Sequence, residues 1–322
     1  MKRKYVKVGI IVAVVLFIVG IGAVYTYVKY NSRKNYKSNV TNAEEVIAPL
    51  TGVNDNRIPN RGTDSLIVPR PQKVTMRPDT LSRDRFAGKK LVGNNSSVPV
   101  LMYHCIDKEV NPKTGKLNEL KVPPEVFREQ MAYLKDNGFT TITLEELYKF
   151  IVNNEQIPEK SIVITLDDGY VDNYTNGLPI LKELGLTATV FIITDYVDKN
   201  GGYLTSGQLK EMYDSGIDIE SHTLSHPRLN EKKYDVQVNE LKASKEYLEK
   251  LLDKKAEFIA YPYGNYNSDT LKAAKEAGYK MGFLATGPWA NKNNGVMLLR
   301  RIYISALKDM GSFKDRINNS NY

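Results

Sequence analysis

Three histidines are all the imidazoles in this 322-residue chain, and each falls where it could serve one reactive centre. Two lie in Ser221-His222-Thr223-Leu224-Ser225-His226-Pro227 and the third in Met102-Tyr103-His104-Cys105. Between them, the apolar strand pattern Ile162-Val163-Ile164-Thr165-Leu166 runs into Asp167-Asp168-Gly169. Imidazoles at i and i+4 on a loop or turn after a strand can face one point. With a nearby carboxylate they form a two-nitrogen, one-oxygen set, which suits a catalytic Zn²⁺ that keeps a position open for water. The paired aspartates fit the same chemistry. Carboxylates confined together raise one pKa unless a cation relieves them. A divalent ion on one carboxylate leaves its neighbour ionised and free to act as a base. Asp-Gly is also a strong turn dipeptide, so the acidic pair carries this reading only together with the histidines.

The elements that must position these residues are short. From residue 98 onward, β-branched apolar runs at 98–103, 140–143, 161–166, 188–193, 217–221, 257–261, 280–285 and 298–304 read as buried parallel strands. Stretches at 124–137, 144–153, 174–184, 205–215, 232–252 and 268–277 carry apolar residues at helical spacing. Thr143, Thr205 and Ser268 stand as N-caps, and Gly138, Gly185, Gly216 and Gly278 follow helix ends as left-handed caps. About eight such units in roughly 220 residues predict an α/β fold of (β/α) barrel type. His104, Asp167, Asp168, His222, Tyr261 and Tyr263 all sit at the carboxyl ends of their strands, the catalytic face of such a barrel. No glycine-rich phosphate loop of an open nucleotide-binding sheet follows any early strand.

Outside this domain, residues 8–28 form an uncharged span behind Lys2, Arg3, Lys4 and Lys7. About 20 apolar residues cross the ~30 Å hydrocarbon core. Tyr25, Tyr27 and Tyr30 cluster at the far end, as interfacial aromatics do. A cleaved signal peptide is the rival reading, but no clean small-x-small site precedes polar sequence. Residues 1–28 are therefore expected to be a cytoplasmic tail and transmembrane helix. Residues 29–96, rich in Asn, Arg, Pro, Thr and Ser, are expected to be an irregular stalk, and 97–322 the catalytic domain. Flanking lysines and arginines nearly balance across the span. The short leading segment favours a single-pass protein of the cell membrane with its domain outside.

A formal charge of +8 without a basic block interleaved with aromatics points away from nucleic acid and towards an anionic envelope surface. The single Cys105 excludes an internal disulfide. A Cys105–His104 dyad is disfavoured because neighbours on a strand point to opposite faces.

Thr165-Leu166-Asp167-Asp168-Gly169 resembles the first signature of the NodB-type polysaccharide deacetylases. Ser221-His222-Thr223-Leu224-Ser225-His226-Pro227 resembles their second, and Ala260-Tyr261-Pro262-Tyr263-Gly264 their third. The three occur in family order within about residues 98–310. The opening Val98-Pro99-Val100-Leu101-Met102-Tyr103-His104 is similar to the branch that includes poly-N-acetylglucosamine deacetylases.

The resemblance implies a distorted (β/α) barrel and a metal, most often zinc, on Asp168, His222 and His226. It implies Asp167 as the base that takes a proton from the metal's water, and the backbone N–H of Tyr263 as an oxyanion donor. His104 would protonate the departing amine. Many members carry an arginine before Pro-Tyr-Gly that pairs with the base; here Ala260-Tyr261 stands there, and no histidine follows His226. Arg301 could supply the missing guanidinium, a surface cation being the alternative. The expected substrate is an N-acetylglucosamine polymer of the envelope, either exopolymer or peptidoglycan. An O-acetyl glycan esterase, a silent glycan-binding module and a purely structural membrane scaffold are the alternatives. Trp289 could stack on a sugar ring, a pocket wall being the alternative, and Tyr266 and other tyrosines could line a glycan groove, with 21 of them giving no ground for a single choice.

Overall fold

The computed structural model describes residues 76–199 and 201–321. The expected anchor and residues 29–75 of the expected stalk lie outside them. In chain order the described strands are β1 (Leu91–Val92), β2 (Val100–Tyr103), β3 (Thr140–Thr141), β4 (Ile157–Pro158), β5 (Ser161–Leu166), β6 (Ala188–Ile192), β7 (Ile217–Ser221), β8 (Phe258–Ala260), β9 (Met281–Phe283) and β10 (Ile302–Tyr303). Eight form one curled parallel sheet, ordered β10-β2-β5-β6-β7-β8-β9 with β3 added beside β5. β1 and β4 make a separate antiparallel pair.

The expected barrel closes through little more than a single bridge. Leu299 pairs with Phe283 of β9, and just downstream Ile302 pairs with Leu101 of β2. One short segment thus ties both edges of the sheet. Arg301 lies within it.

Strand alternation sorts the core into two layers. Leu101, Tyr103, Ile162, Ile164, Leu166, Val190 and Ile192 face the outer helices. These include α1 (Pro124–Asp136), α3 (Leu178–Leu184), α4 (Ser206–Asp214) and α7 (Met310–Asn318). On α1, Phe127, Met131 and Leu134 recur at helical spacing and are fully buried. Each such side chain contributes roughly 1.5–3 kcal/mol. On the inner face, Val100, Val163, Phe191, Phe258 and Phe283 pack against α2 (Leu144–Asn153) through Leu144, Leu147 and Phe150. A third cluster joins the sheet to α5 (Tyr234–Leu252) and α6 (Ser268–Glu276) through Leu241, Ile259, Tyr261 and Ala273.

Capping boxes at Thr143 with Glu146 and at Thr205 with Gln208 start α2 and α4 where the sequence places them. The start of α6 differs: Asn267, not Ser268, caps it by accepting from the Thr270 N–H. The helix expected at 174–184 opens as a π-helical turn, Asn173–Gly177, before α3. The expected stalk also ends early. Phe86 is buried in the inner cluster, Arg85 pairs with Glu146, and β1 pairs with β4, so residues 76–96 belong to the folded unit.

Candidate metal centre and active site

Register brings the chemistry together. Tyr103 lies opposite Leu166, and the Asp167 N–H donates to the Tyr103 carbonyl at 2.9 Å. His104 therefore leaves its strand beside the acidic pair. Ser221 ends β7 between Ile192 and Ile259, which delivers His222 to the same end of the sheet.

Asp168, His222 and His226 each offer one ligand atom, and these atoms lie within 4.8 Å of one another. His222 Nε2 is 3.4 Å and His226 Nε2 3.5 Å from Asp168 Oδ1. His222 Nδ1 donates to the Ala260 carbonyl at 2.7 Å, which fixes the tautomer and leaves Nε2 free. Asp168 Oδ1 is buried and has no hydrogen bond of acceptable geometry. A buried, unpartnered carboxylate oxygen facing two imidazoles is costly unless a cation completes it. The donor set and its open arrangement fit a divalent ion such as Zn²⁺.

Asp167 is held differently. Arg301 Nη1 and Nη2 donate to its two oxygens, each at 2.7 Å, and both side chains are buried. Arg301 is itself fixed by donating to Leu284 O at 2.8 Å and Thr165 Oγ1 at 3.0 Å. Arg301 is thus no surface cation. Burial pushes the Asp167 carboxyl up, but Arg301 and His222 outweigh it and hold the group below the usual carboxylate range. For Asp168, burial is likewise outweighed by His222, His104 and His226. Burial and the neighbouring His222 charge lower His226 to about 4. His222 is raised, because Asp167 and Asp168 overcome its own burial.

His104 is near enough for both aspartates to act on its imidazole, although burial lowers it on balance. Its Nδ1 is buried and unpartnered, and its ring meets Tyr303 edge-on at 6.2 Å. Tyr263 lies at the rim, 52% exposed, its ring 4.6 Å from His226 and under the Arg228 guanidinium. Asp168, Thr223, His226 and Tyr263 all have positive φ. For residues other than glycine this stores on the order of 1–3 kcal/mol each and clusters at functional sites.

A clamp on the histidine loop leaves no spacing pattern in the sequence. Glu240 of α5 accepts from the Ser225 N–H at 2.8 Å and its hydroxyl at 2.6 Å, while Ser244 meets Ser221 Oγ at 2.8 Å. A glutamate and a serine on the apolar side of an amphipathic helix were the available signal. Two other candidates lie elsewhere. Trp289 donates its Nε1–H to the Arg316 carbonyl at 2.8 Å and packs on the outer core, so it is a structural tie. Cys105 is buried and its thiol is pushed well up by that burial, which removes the nucleophilic dyad.

Residues 154–282 match the sequence profile of the family described as polysaccharide deacetylase. YxkH of Bacillus subtilis (strain 168), named for the same family, is 37% identical over 210 residues, 65% of this chain and 72% of its own. A poly-beta-1,6-N-acetyl-D-glucosamine N-deacetylase of Staphylococcus epidermidis is 32% identical over 216 residues, 61% of this chain and 74% of that one. Among solved structures, the Streptococcus pyogenes deacetylase PplD in complex with acetate superposes with a TM-score of 0.66. It is 35% identical and covers 69% of this chain and 98% of its own. The chain belongs to the polysaccharide deacetylase family, hydrolases acting on carbon–nitrogen bonds.

Proposed function

We propose that this deacetylase, with a divalent cation and Zn²⁺ foremost, removes acetyl groups from N-acetylglucosamine residues of a poly-N-acetylglucosamine of the cell envelope. The observation that carries the reading is the convergence of Asp168, His222 and His226 beside an Asp167 that Arg301 locks in place. The staphylococcal relative named for that polymer supports the substrate.

Asp168, His222 and His226 would hold the cation, which when bound would supply Lewis acidity towards a carbonyl and towards water. Asp167, ionised against Arg301, accepts the proton of the water that attacks the acetyl carbon. The backbone N–H of Tyr263 donates to the oxygen on which charge develops. His104 gives a proton to the amine nitrogen as the carbon–nitrogen bond breaks. Acetate and a free glucosamine unit leave.

In this reading residues 8–28 anchor the chain in the cell membrane, and the segment up to residue 75 tethers the catalytic unit outside it. Acetate release from β-1,6-linked N-acetylglucosamine oligomers, compared with peptidoglycan glycan strands, tests the substrate. A clear preference for the oligomers is expected. Release from the glycan strands alone would move the assignment to the wall.

A further inference from the structure

Asn173 touches none of the reacting groups, yet it holds the backbone from which His104 projects. Its Nδ2 donates to the His104 carbonyl at 2.8 Å and to Asp172 Oδ1 at 3.0 Å. Asp172 Oδ1 accepts the Ile106 N–H at 2.8 Å, and Asn176 Nδ2 donates to the Ile106 carbonyl at 2.8 Å. Side chains of one turn thus grip the backbone on both sides of Cys105. That turn lies just downstream of Asp167-Asp168-Gly169, after Tyr170 and Val171, and its π-helical geometry is of a kind frequent at functional sites.

The arrangement is retained against a penalty. Asn173 is 1% exposed, and its Oδ1 has no partner. A buried amide oxygen left without a donor destabilises a fold, and such a group in a native structure calls for a reason. The contact made by Nδ2 supplies one. No repeating pattern in the sequence marks these bonds.

We propose that Asn173, assisted by Asp172 and Asn176, is a positioning residue that sets His104 for proton delivery to the leaving amine. This rests on His104 acting as the acid. It follows that one short segment carries the base, a metal ligand and the support of the acid. Misplacing a catalytic group by 1 Å costs on the order of 10²-fold, within the 10²–10⁴-fold that general acid catalysis contributes.

The test compares Asn173→Ala, His104→Ala and the double variant on an N-acetylglucosamine oligomer and on nitrophenyl acetate, whose leaving group departs without a proton. Asn173→Ala is expected to lower kcat on the amide about tenfold or more, with KM within about twofold. Its loss on the ester is expected to be about tenfold smaller. In the His104→Ala background, Asn173→Ala is expected to add less than about twofold. Asn173→Asp, which keeps the shape but not the donor, is expected to follow the alanine variant. Equal losses on amide and ester, or additive losses in the double variant, would overturn the proposal. Full amide turnover by His104→Ala would instead remove His104 as the acid, a failure visible without any Asn173 variant. If Asn173→Ala does not fold, Asn176→Ala at its half-buried position is read by the same two criteria.

Discussion

Arg301 and Asp167 form a two-pronged, fully buried ion pair that joins the last strand segment to the end of β5. Lysine carries the charge without the planar fork. Arg301→Lys is therefore expected to lower kcat about 10²-fold with little change in KM, read from steady-state acetate release. Arg301→Ala leaves a buried carboxylate without its cation and is expected to cost about 3–5 kcal/mol of stability in denaturant unfolding. Arg301 and His222 are what keep Asp167 low against burial. In either variant the acid limb of kcat/KM is expected to move to higher pH, because in the proposed mechanism Asp167 must be deprotonated to act as the base.

Proton competition at the proposed metal site has a defined direction. His222 is held above its ordinary value by the two aspartates, whereas burial and the His222 charge lower His226 to about 4. A protonated imidazole cannot ligate, so His222 is the histidine whose proton a cation must displace near neutral pH. Apparent Zn²⁺ affinity, measured by competition with a chromogenic chelator, is expected to fall as pH drops through the raised His222 value. His226 is expected to add a further loss only near pH 4.

Away from the site, Lys254 bridges Asp218 and Glu220 at 2.6 Å from Glu220 Oε1, with all three side chains buried. One cation serves two carboxylates. Burial and the Asp218 charge push Glu220 up to about 8 despite Lys254. The folded protein thus binds this proton more tightly than the unfolded chain. The stability it contributes is full below the unfolded glutamate value of about 4.3 and is lost as pH rises through about 8. Glu220→Gln is expected to flatten that decline in denaturant titrations at several pH values. Lys254→Met leaves Asp218 and Glu220 without their shared cation and is expected to cost about 3–5 kcal/mol.

The turn that carries Tyr263 has no room for change. Gly264 has φ +68°, and a Cβ there would come within 2.8 Å of the Ala285 amide nitrogen. Gly264→Ala is expected to lose roughly 1–3 kcal/mol in thermal unfolding, together with most acetate release.

What the sequence made legible were features written in local pattern. The bounds of β5, β7 and α2 match their apolar periodicity, and strand ends located Asp167, Asp168 and His222. Arg301 was legible only as one of two alternatives, because its partner lies on a distant strand and only sheet closure brings them together. Residues 76–96 read as stalk because single anchors such as Phe86 and two-residue pairings leave no period. Asn267 displaced Ser268 as a cap because either residue type can accept from the helix N-terminus, and backbone geometry chose between them. Glu240, Asp172, Asn173 and Asn176 act through bonds to the backbone or to a hydroxyl, which follow from tertiary placement and not from spacing.

The most direct test counts metal and acetate together. The purified protein is stripped with chelator, titrated with Zn²⁺ and assayed on N-acetylglucosamine oligomers beside Asp168→Asn and His222→Ala. One equivalent of tightly held ion is expected, with activity that rises with its occupancy and loss of both in each variant. Undiminished acetate release from fully stripped protein, or full activity in either variant, would contradict it.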